Sequence, residues 1–517
     1  MGPFEWLERA AAGRPEHPAF LWRGTRVSYG ELSSRAAGRA ADLARLGIGP
    51  GDRVVVLLGN TPAFAAMLCA LLRRGAVVSP LNQAYHRAAM AEIIAAGGAR
   101  HLVTTAEYAA SLRDMLAGLP VRVLLVDEAG ALLWPATAAG GAPAAGPELE
   151  PPPPGTAIFC PTSGSTGHPK LIMITREQLA GRVAHAVEGM RYTPDDVALG
   201  ALPFLNGFGR DQILLAALMT GGTTLLQERF NPRQVLKAAA AGDLTVLVGV
   251  GFMYRALLDV AAKRATWPRV RLCMIGASFF PRMGDEFHDR FGHHLHNNYG
   301  SGEYSQAAIN WDDDPESNWR YVGRPLPGCA VRILPAGFDI GGLGPGIGEI
   351  WVKSLRTSDG RLSAGYYRDP AATAEHYRGE WAHAADLGRF DAQGRLELIG
   401  RTRNMIKFAG VQVSGEKIEQ AIMAHPAVAE AAVVWDRSPV WGEAVRAFVV
   451  SRGPLAAADV FEHCRTHLPG HMVPREVQFL ADMPRTPTGK VDRLALAGGG
   501  GGGGHGGGGR DGDSSGG

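Results

Sequence analysis

Two periodicities alternate along the first quarter of the chain. "YGELSSRAAGRAADLARLG" (29–47) has helical spacing and stops at Gly47, whereas "DRVVVLLG" (52–59) is an unbroken apolar run of the kind that forms a buried strand. "PAFAAMLCALLRRG" (62–75) is helical again, and "AVVSPLN" (76–82) is strand-like. This alternation predicts sheets covered by helices. Residues 135–155 are rich in Ala, Gly and Pro and read as an irregular connector, after which helix and strand alternate again from 171 to about 300. Residues 320–400 are dense in Gly, Pro and short apolar runs such as "GEIWVKS" and "RLELIG", which predicts a mostly β section. The pattern restarts after Arg401: "MIKFAGVQVSG", a helix from Glu416, strand-like "EAAVVWD" and "AVRAFVVS", and a helix near 457–468. The fold class expected is α/β. A large domain of helix-covered sheets with a β-rich subdomain spans residues 1–402, and a small α+β domain spans 403–496. From 497 the chain is almost pure glycine and cannot bury a core, so residues 497–517 are expected to be disordered.

Composition narrows the function classes. A length of 517 residues exceeds one ordinary core. With 52 basic against 50 acidic residues, the charge balance offers no polyanion-binding surface, so no nucleic-acid partner is expected. Five scattered cysteines (Cys69, Cys160, Cys273, Cys329 and Cys464), without any C-x-x-C, fit a reducing compartment rather than a disulfide framework. "MGPFEWLERAA" has no apolar signal-peptide core, and the apolar stretch 63–72 is too short to span a bilayer, so a cytoplasmic protein without a membrane span is expected. His293, His294 and His296 share one stretch, but neighbouring strand positions face opposite ways, which argues against a metal site. "GGLGPGIGE" reads as a β-turn because of Pro345.

The densest chemistry lies in "FCPTSGSTGHPK" (159–170). Gly164 and Gly167 let successive N–H groups point inward, Thr162, Ser163, Ser165 and Thr166 add hydroxyl donors, and Lys170 adds a positive charge. Phosphate suits that arrangement. The loop is not a Walker A sequence, because Pro169 precedes the lysine and Leu171 follows it. Five further segments follow in order: "PFLNGFG" (203–209), "NNYGSGE" (297–303), "WAHAADLGRF" (381–390), "GRTRNMIKFAGVQVSGEKIE" (400–419) and "PRTPTGKVDR" (484–493).

The ordered set resembles the adenylate-forming superfamily of acyl- and aryl-CoA synthetases, stand-alone adenylation domains and firefly luciferase, over about residues 20–495. The resemblance implies ATP as substrate, with Thr162, Ser163, Gly164, Ser165, Thr166, Gly167 and Lys170 over its β- and γ-phosphates. It implies Tyr299 and Gly300 beside adenine, Asp386 on the ribose, Arg401 near ribose and α-phosphate, and Glu303 as the Mg²⁺ ligand. Lys490 would act at the carboxylate and α-phosphate, Arg403 would be the hinge to a mobile small domain, and the face bearing Gly410 would serve the acceptor. The partners implied are a small-molecule carboxylic acid and a thiol, either CoA or the phosphopantetheine of a carrier protein.

Four positions depart from the family pattern: Asn206 replaces a frequent histidine, Gly302 a threonine, and Ala384-Ala385 a Thr-Gly pair. The acid pocket implied by the resemblance contains Asn206, Phe208, Gln212, Gly276 and Asn298, with Arg210 close by. Buried amides want a bonding partner, so a small or aromatic acid bearing hydroxyl or amino groups is expected. Ligation to CoA leads. Loading of a carrier protein, an amide-forming or nitrite-activating reaction, and a non-catalytic nucleotide-binding role remain open at this point.

Overall fold

The computed structural model describes residues 1–498 apart from 83–84, 134–148, 163–169, 262, 277–280, 315–316, 318–319, 337–344, 403–404, 409–410, 439–441, 469 and 486–490. The chain divides into two compact units, with the boundary at residues 403 and 404. The glycine-rich tail from 499 and most of the 135–155 connector lie outside the described residues.

In the first unit, helix Pro3–Gly13 and strands Pro18–Trp22 and Thr25–Ser28 come first, and the elements expected from the periodicity follow. Helix Tyr29–Arg45 starts with a capping box between Ser28 and Glu31, which satisfies two otherwise unpaired backbone donors. In strand Arg53–Leu57 the three consecutive valines are all buried, as a strand covered on both faces requires. Helix Pro62–Arg74 is held at its start by the Thr61 hydroxyl, which accepts from Phe64 N, and ends at Gly75 in the left-handed region (φ 83°). Residues 62–72 of this helix are buried on every side. Their neighbours explain why: the same apolar cluster contains Val54, Val56, Val78 and Ile158 of one sheet and Ala198, Leu199, Val246 and Val248 of another.

Among the described residues the first sheet has seven strands. Its parallel part runs from Arg122–Val126 through His101–Thr105, Arg53–Leu57 and Val77–Pro80 to Thr156–Thr162. Lys170–Thr175 and Gly365–Tyr366 then add as antiparallel strands. The larger sheet is parallel at its centre, where Val197–Gly200, Val246–Val250, Leu272–Gly276 and Leu295–Ser301 lie side by side. Beyond Leu295–Ser301 it turns antiparallel through Ser305–Ile309 and Tyr321–Pro325. Apart from Gly365–Tyr366, the strands of the β-rich section of 320–400 therefore continue this sheet, edge to edge. Strand Leu295–Ser301 sits where the parallel half ends, and open α/β sheets bind ligands outside the carboxyl ends of such strands. Asn298, Tyr299 and Gly300 all lie on it.

Among the described residues the second unit is a five-stranded sheet with helices Gly415–Met423, Ala457–His467 and Arg493–Gly498. Buried Glu419 accepts from Val433 N (2.8 Å) and pairs with Arg493 (2.6 Å), which ties a helix to both the sheet and the last helix. All five cysteines are free and buried, four in the first unit and Cys464 in the second. Among the described residues no helix is long and apolar enough to cross a membrane.

Candidate active site

Three groups of side chains gather around the end of strand Leu295–Ser301. In the first, Asp386 and Arg401 face each other across strands Trp381–Phe390 and Leu396–Arg401. Arg401 Nε lies 3.3 Å from Asp386 Oδ1, and the Tyr299 hydroxyl donates to Asp386 Oδ2 at 2.8 Å. Burial, with the Asp386 charge beside it, pushes the Tyr299 phenol well above its ordinary pKa, so it stays a donor at any physiological pH. Ala385, just before the aspartate, has φ 57°. That is the left-handed region a glycine would occupy without strain, and the Thr402 hydroxyl secures the Ala385 carbonyl at 3.1 Å. An L-residue there costs about 1–2 kcal/mol. Ala385→Gly is therefore expected to raise the stability of the first unit by about 1 kcal/mol in a denaturant titration. A loss of stability would mean that the surrounding strands absorb the strain.

The second group surrounds Glu303, in the tight turn between Leu295–Ser301 and Ser305–Ile309. The Tyr366 hydroxyl donates to Glu303 Oε1 at 2.8 Å, and Glu303 N donates to Ser301 Oγ at 3.1 Å. Burial alone would raise the carboxyl pKa, but the His376 ring and the hydrogen bonds from Tyr366 and Ser301 outweigh it and hold Glu303 below the usual range. Lys170 Nζ pairs with Asp369 at 2.9 Å and lies 5.4 Å from the centre of the Tyr366 ring. Asp369 also caps helix Pro370–His376 by accepting from Ala372 N. Thr162 and Lys170 pair with each other on the last rung between strands Thr156–Thr162 and Lys170–Thr175, where Thr162 Oγ1 donates to the Lys170 carbonyl at 3.3 Å. An ionised carboxylate fits a hard divalent cation. Among the described residues no group of three His, Cys, Asp or Glu side chains could hold a metal, so such a cation would take phosphate oxygens and water as its other ligands.

The third group is the candidate acid pocket. Gly276 and Asn298 are register neighbours on adjacent parallel strands. The Phe208 ring packs so closely on Gly276 that a Cβ there would stand 2.6 Å from it. Asn298 Nδ2 donates to Gln212 Oε1 at 3.5 Å, while Asn298 Oδ1 is buried without a hydrogen-bond partner. Asn206 caps the turn Gly207–Gly209 by accepting from Gly209 N at 3.0 Å. Below these residues, Asp211 is sandwiched between two fully buried arginines. Arg182 Nε lies 2.7 Å and Arg210 Nε 2.8 Å from its carboxylate.

The structure thus brings together Tyr299, Gly300, Asp386 and Arg401, then Glu303, Thr162 and Lys170, and then Asn206, Phe208, Gln212, Gly276 and Asn298. Ser163, Gly164, Ser165, Thr166, Gly167, Arg403, Gly410 and Lys490 lie outside the described residues. The three histidines of "FGHHLHNN" make separate contacts, among them His296 Nδ1 to the Asn310 carbonyl (3.0 Å) and His293 stacked on Trp267. Sequence reasoning missed Tyr366, Asp369, His376, Arg182 and Asp211. Only Asp369 carried a signal, as the residue before Pro370 at a helix start.

This geometry accompanies a family match over most of the chain. The AMP-binding enzyme family matches residues 7–367, and the AMP-binding enzyme C-terminal domain matches residues 417–490. The chain belongs to the AMP-binding enzyme family. This AMP-binding enzyme is 30% identical over 495 residues to a feruloyl-CoA synthase of Amycolatopsis sp, covering 95% of the chain and 97% of the relative. It is 31% identical over 498 residues to a sulfoacetate–CoA ligase of Cupriavidus necator, covering 94% of the chain and 95% of the relative. Among solved structures it resembles the amide bond synthetase McbA of Marinactinospora thermotolerans, with TM-score 0.82, 28% identity, and coverage of 96% of this chain and 99% of that one. This AMP-binding enzyme is an adenylate-forming ligase of the AMP-forming, acid–thiol class.

Proposed function

We propose that the enzyme activates a small or aromatic carboxylic acid bearing a hydroxyl or amino group, and passes the acyl group to CoA. In the first half-reaction a carboxylate oxygen attacks the α-phosphorus of ATP, and pyrophosphate leaves with the electrons of the broken P–O bond. In the second, the thiol sulfur attacks the acyl carbon, the thiol proton passes to solvent, and AMP leaves. No general base is needed for the first step, because a carboxylic acid is already ionised at pH 7. The demand is electrostatic, since two anions must meet and charge develops on phosphate oxygens.

Lys170 and the hydroxyls and amides of residues 162–167 hold the terminal phosphates. Asp386 accepts from the ribose hydroxyls, with Arg401 beside it, and Tyr299 lies along adenine. Glu303 holds Mg²⁺, which when bound neutralises phosphate charge. Lys490 supplies positive charge to the reacting carboxylate and α-phosphate. The observation that carries the acid class is the Asn298–Gln212 pair, two buried amides in a pocket that a long acyl chain would need to be apolar. The names of the relatives agree in part: feruloyl, sulfoacetate and, at 28% identity, 4-coumarate from Pinus taeda are all short or aromatic acids with polar groups.

The test is ATP–pyrophosphate exchange with hydroxy- and aminobenzoates, cinnamates, short acids and palmitate. Polar aromatic or short acids are expected to support exchange, and Asn298→Gly is expected to narrow the preference for substituted over unsubstituted rings by about 1–2 kcal/mol, or roughly tenfold. A preference for palmitate would overturn the acid class. Exchange without CoA-thioester formation, but with amide formation when amines are offered, would move the acceptor towards that of the amide bond synthetase it resembles.

A further inference from the structure

The buried ion cluster has no part in the reaction as written, yet it touches both the Glu303 turn and the acid-pocket segment. Arg182 comes from helix Arg176–Gly189, and its side chain is 1% exposed. Its Nε binds Asp211, and its Nη1 donates to two backbone carbonyls, Gly302 (3.0 Å) and Leu362 (3.1 Å). Gly302 immediately precedes Glu303. Leu362 leads into Gly365–Tyr366, the short strand that delivers the tyrosine bonded to Glu303. One guanidinium therefore fixes both halves of the Glu303–Tyr366 pair. On its other side, Asp211 holds Arg210, which donates to the Leu205 carbonyl at the base of the acid-pocket segment.

The energetics make this costly as mere packing. Two arginines and one aspartate, all fully buried, leave one net positive charge within the cluster. Buried ion clusters of this kind are often matched or bettered in stability by apolar side chains of similar volume. What apolar side chains cannot do is hold three carbonyls from three segments at fixed points. Gly302 adds to the argument. With no side chain, it can be positioned only through its backbone, and its carbonyl is the atom Arg182 grips. Gly207 belongs to the same design, since a Cβ on it would stand 2.6 Å from Arg182 Nη2 and 2.9 Å from Asp211 Oδ2.

We propose that Arg182 is a positioning residue for the metal carboxylate, setting Glu303 and its donor Tyr366 at one distance through the Gly302 and Leu362 carbonyls. The proposal rests on the assignment of Glu303 to the cation of Mg²⁺·ATP. The test measures binding without turnover. Mn²⁺ affinity for the enzyme–ATP complex is read by electron paramagnetic resonance, alongside metal-free ATP binding and thermal unfolding, for wild type, Arg182→Met and Arg182→Lys. Arg182→Met is expected to weaken Mn²⁺ about 10–100-fold, the usual effect of removing a group that orients a metal ligand, with metal-free ATP binding within about twofold. Lysine keeps the charge against Asp211, but a single ammonium lacks the fork that reaches both carbonyls. Arg182→Lys is therefore expected to fall between the two, and it carries the test if the methionine variant does not fold. A folded variant that binds Mn²⁺·ATP as tightly as wild type overturns the proposal. If wild type itself shows no metal dependence of ATP binding, the Glu303 assignment falls instead.

Discussion

Lys490→Ala will lose adenylate formation while ATP binding persists. The lysine lies in the Gly-Lys turn of "PRTPTGKVDR", and its role in the proposed reaction is to offset charge that appears only as the carboxylate meets the α-phosphorus. Interactions made mainly in the transition state show in kcat rather than in ground-state binding. Removing one such electrostatic group costs about 3–4 kcal/mol, or roughly 10²–10³ in rate. Pyrophosphate exchange should fall by that factor, and equilibrium ATP binding should stay within about twofold of wild type. Near-normal exchange would show that the lysine has another role.

Gly300→Ala is expected to give the largest loss of stability among the site residues. A Cβ there would stand 2.2 Å from the Ser305 carbonyl oxygen, 2.9 Å from its carbon and 3.0 Å from Gln306 Cα. All three are backbone atoms, so no rotamer change relieves the clash, and the hairpin between Ser301 and Ser305 must open. Overpacking of this kind costs roughly 3 kcal/mol. Because Tyr299 and Glu303 flank the glycine, Mg²⁺·ATP binding should weaken with the stability. Gly38→Ala is the control. It lies within helix Tyr29–Arg45 with nothing within 4 Å of its added Cβ, and alanine should stabilise there. If both variants unfold at the wild-type midpoint, the hairpin is more compliant than its contacts imply.

Elements whose apolar pattern is local were legible in the sequence. The valine run of Arg53–Leu57, the largely apolar helix Pro62–Arg74 and the strands Val428–Ser438 and Gly442–Ser451 stand where periodicity put them. The candidate nucleotide-site residues were assigned through the order of their motifs, and those in described segments lie close together in space. What stayed illegible has a common cause, which is long sequence separation between ordinary residue types. Tyr366 meets Glu303 across 63 positions, and Arg182 meets Gly302 across 120. On a helix after a strand, Arg182 reads as a solvent charge, because nothing local shows that its partner Asp211 will be buried with it. The π-helical turn Arg210–Leu215, which aims Arg210 and Asp211 inward, also has no pattern of its own.

The five buried thiols have a consequence for handling. Cys69, Cys160, Cys273 and Cys329 are sealed in the large unit and Cys464 in the small one, with burial suppressing the thiolate of each. Air oxidation therefore has no surface sulfur with which to crosslink folded molecules. A coloured thiol reagent added to the native enzyme becomes a tally of opening, in which one equivalent consumed reports the small unit and four report the large.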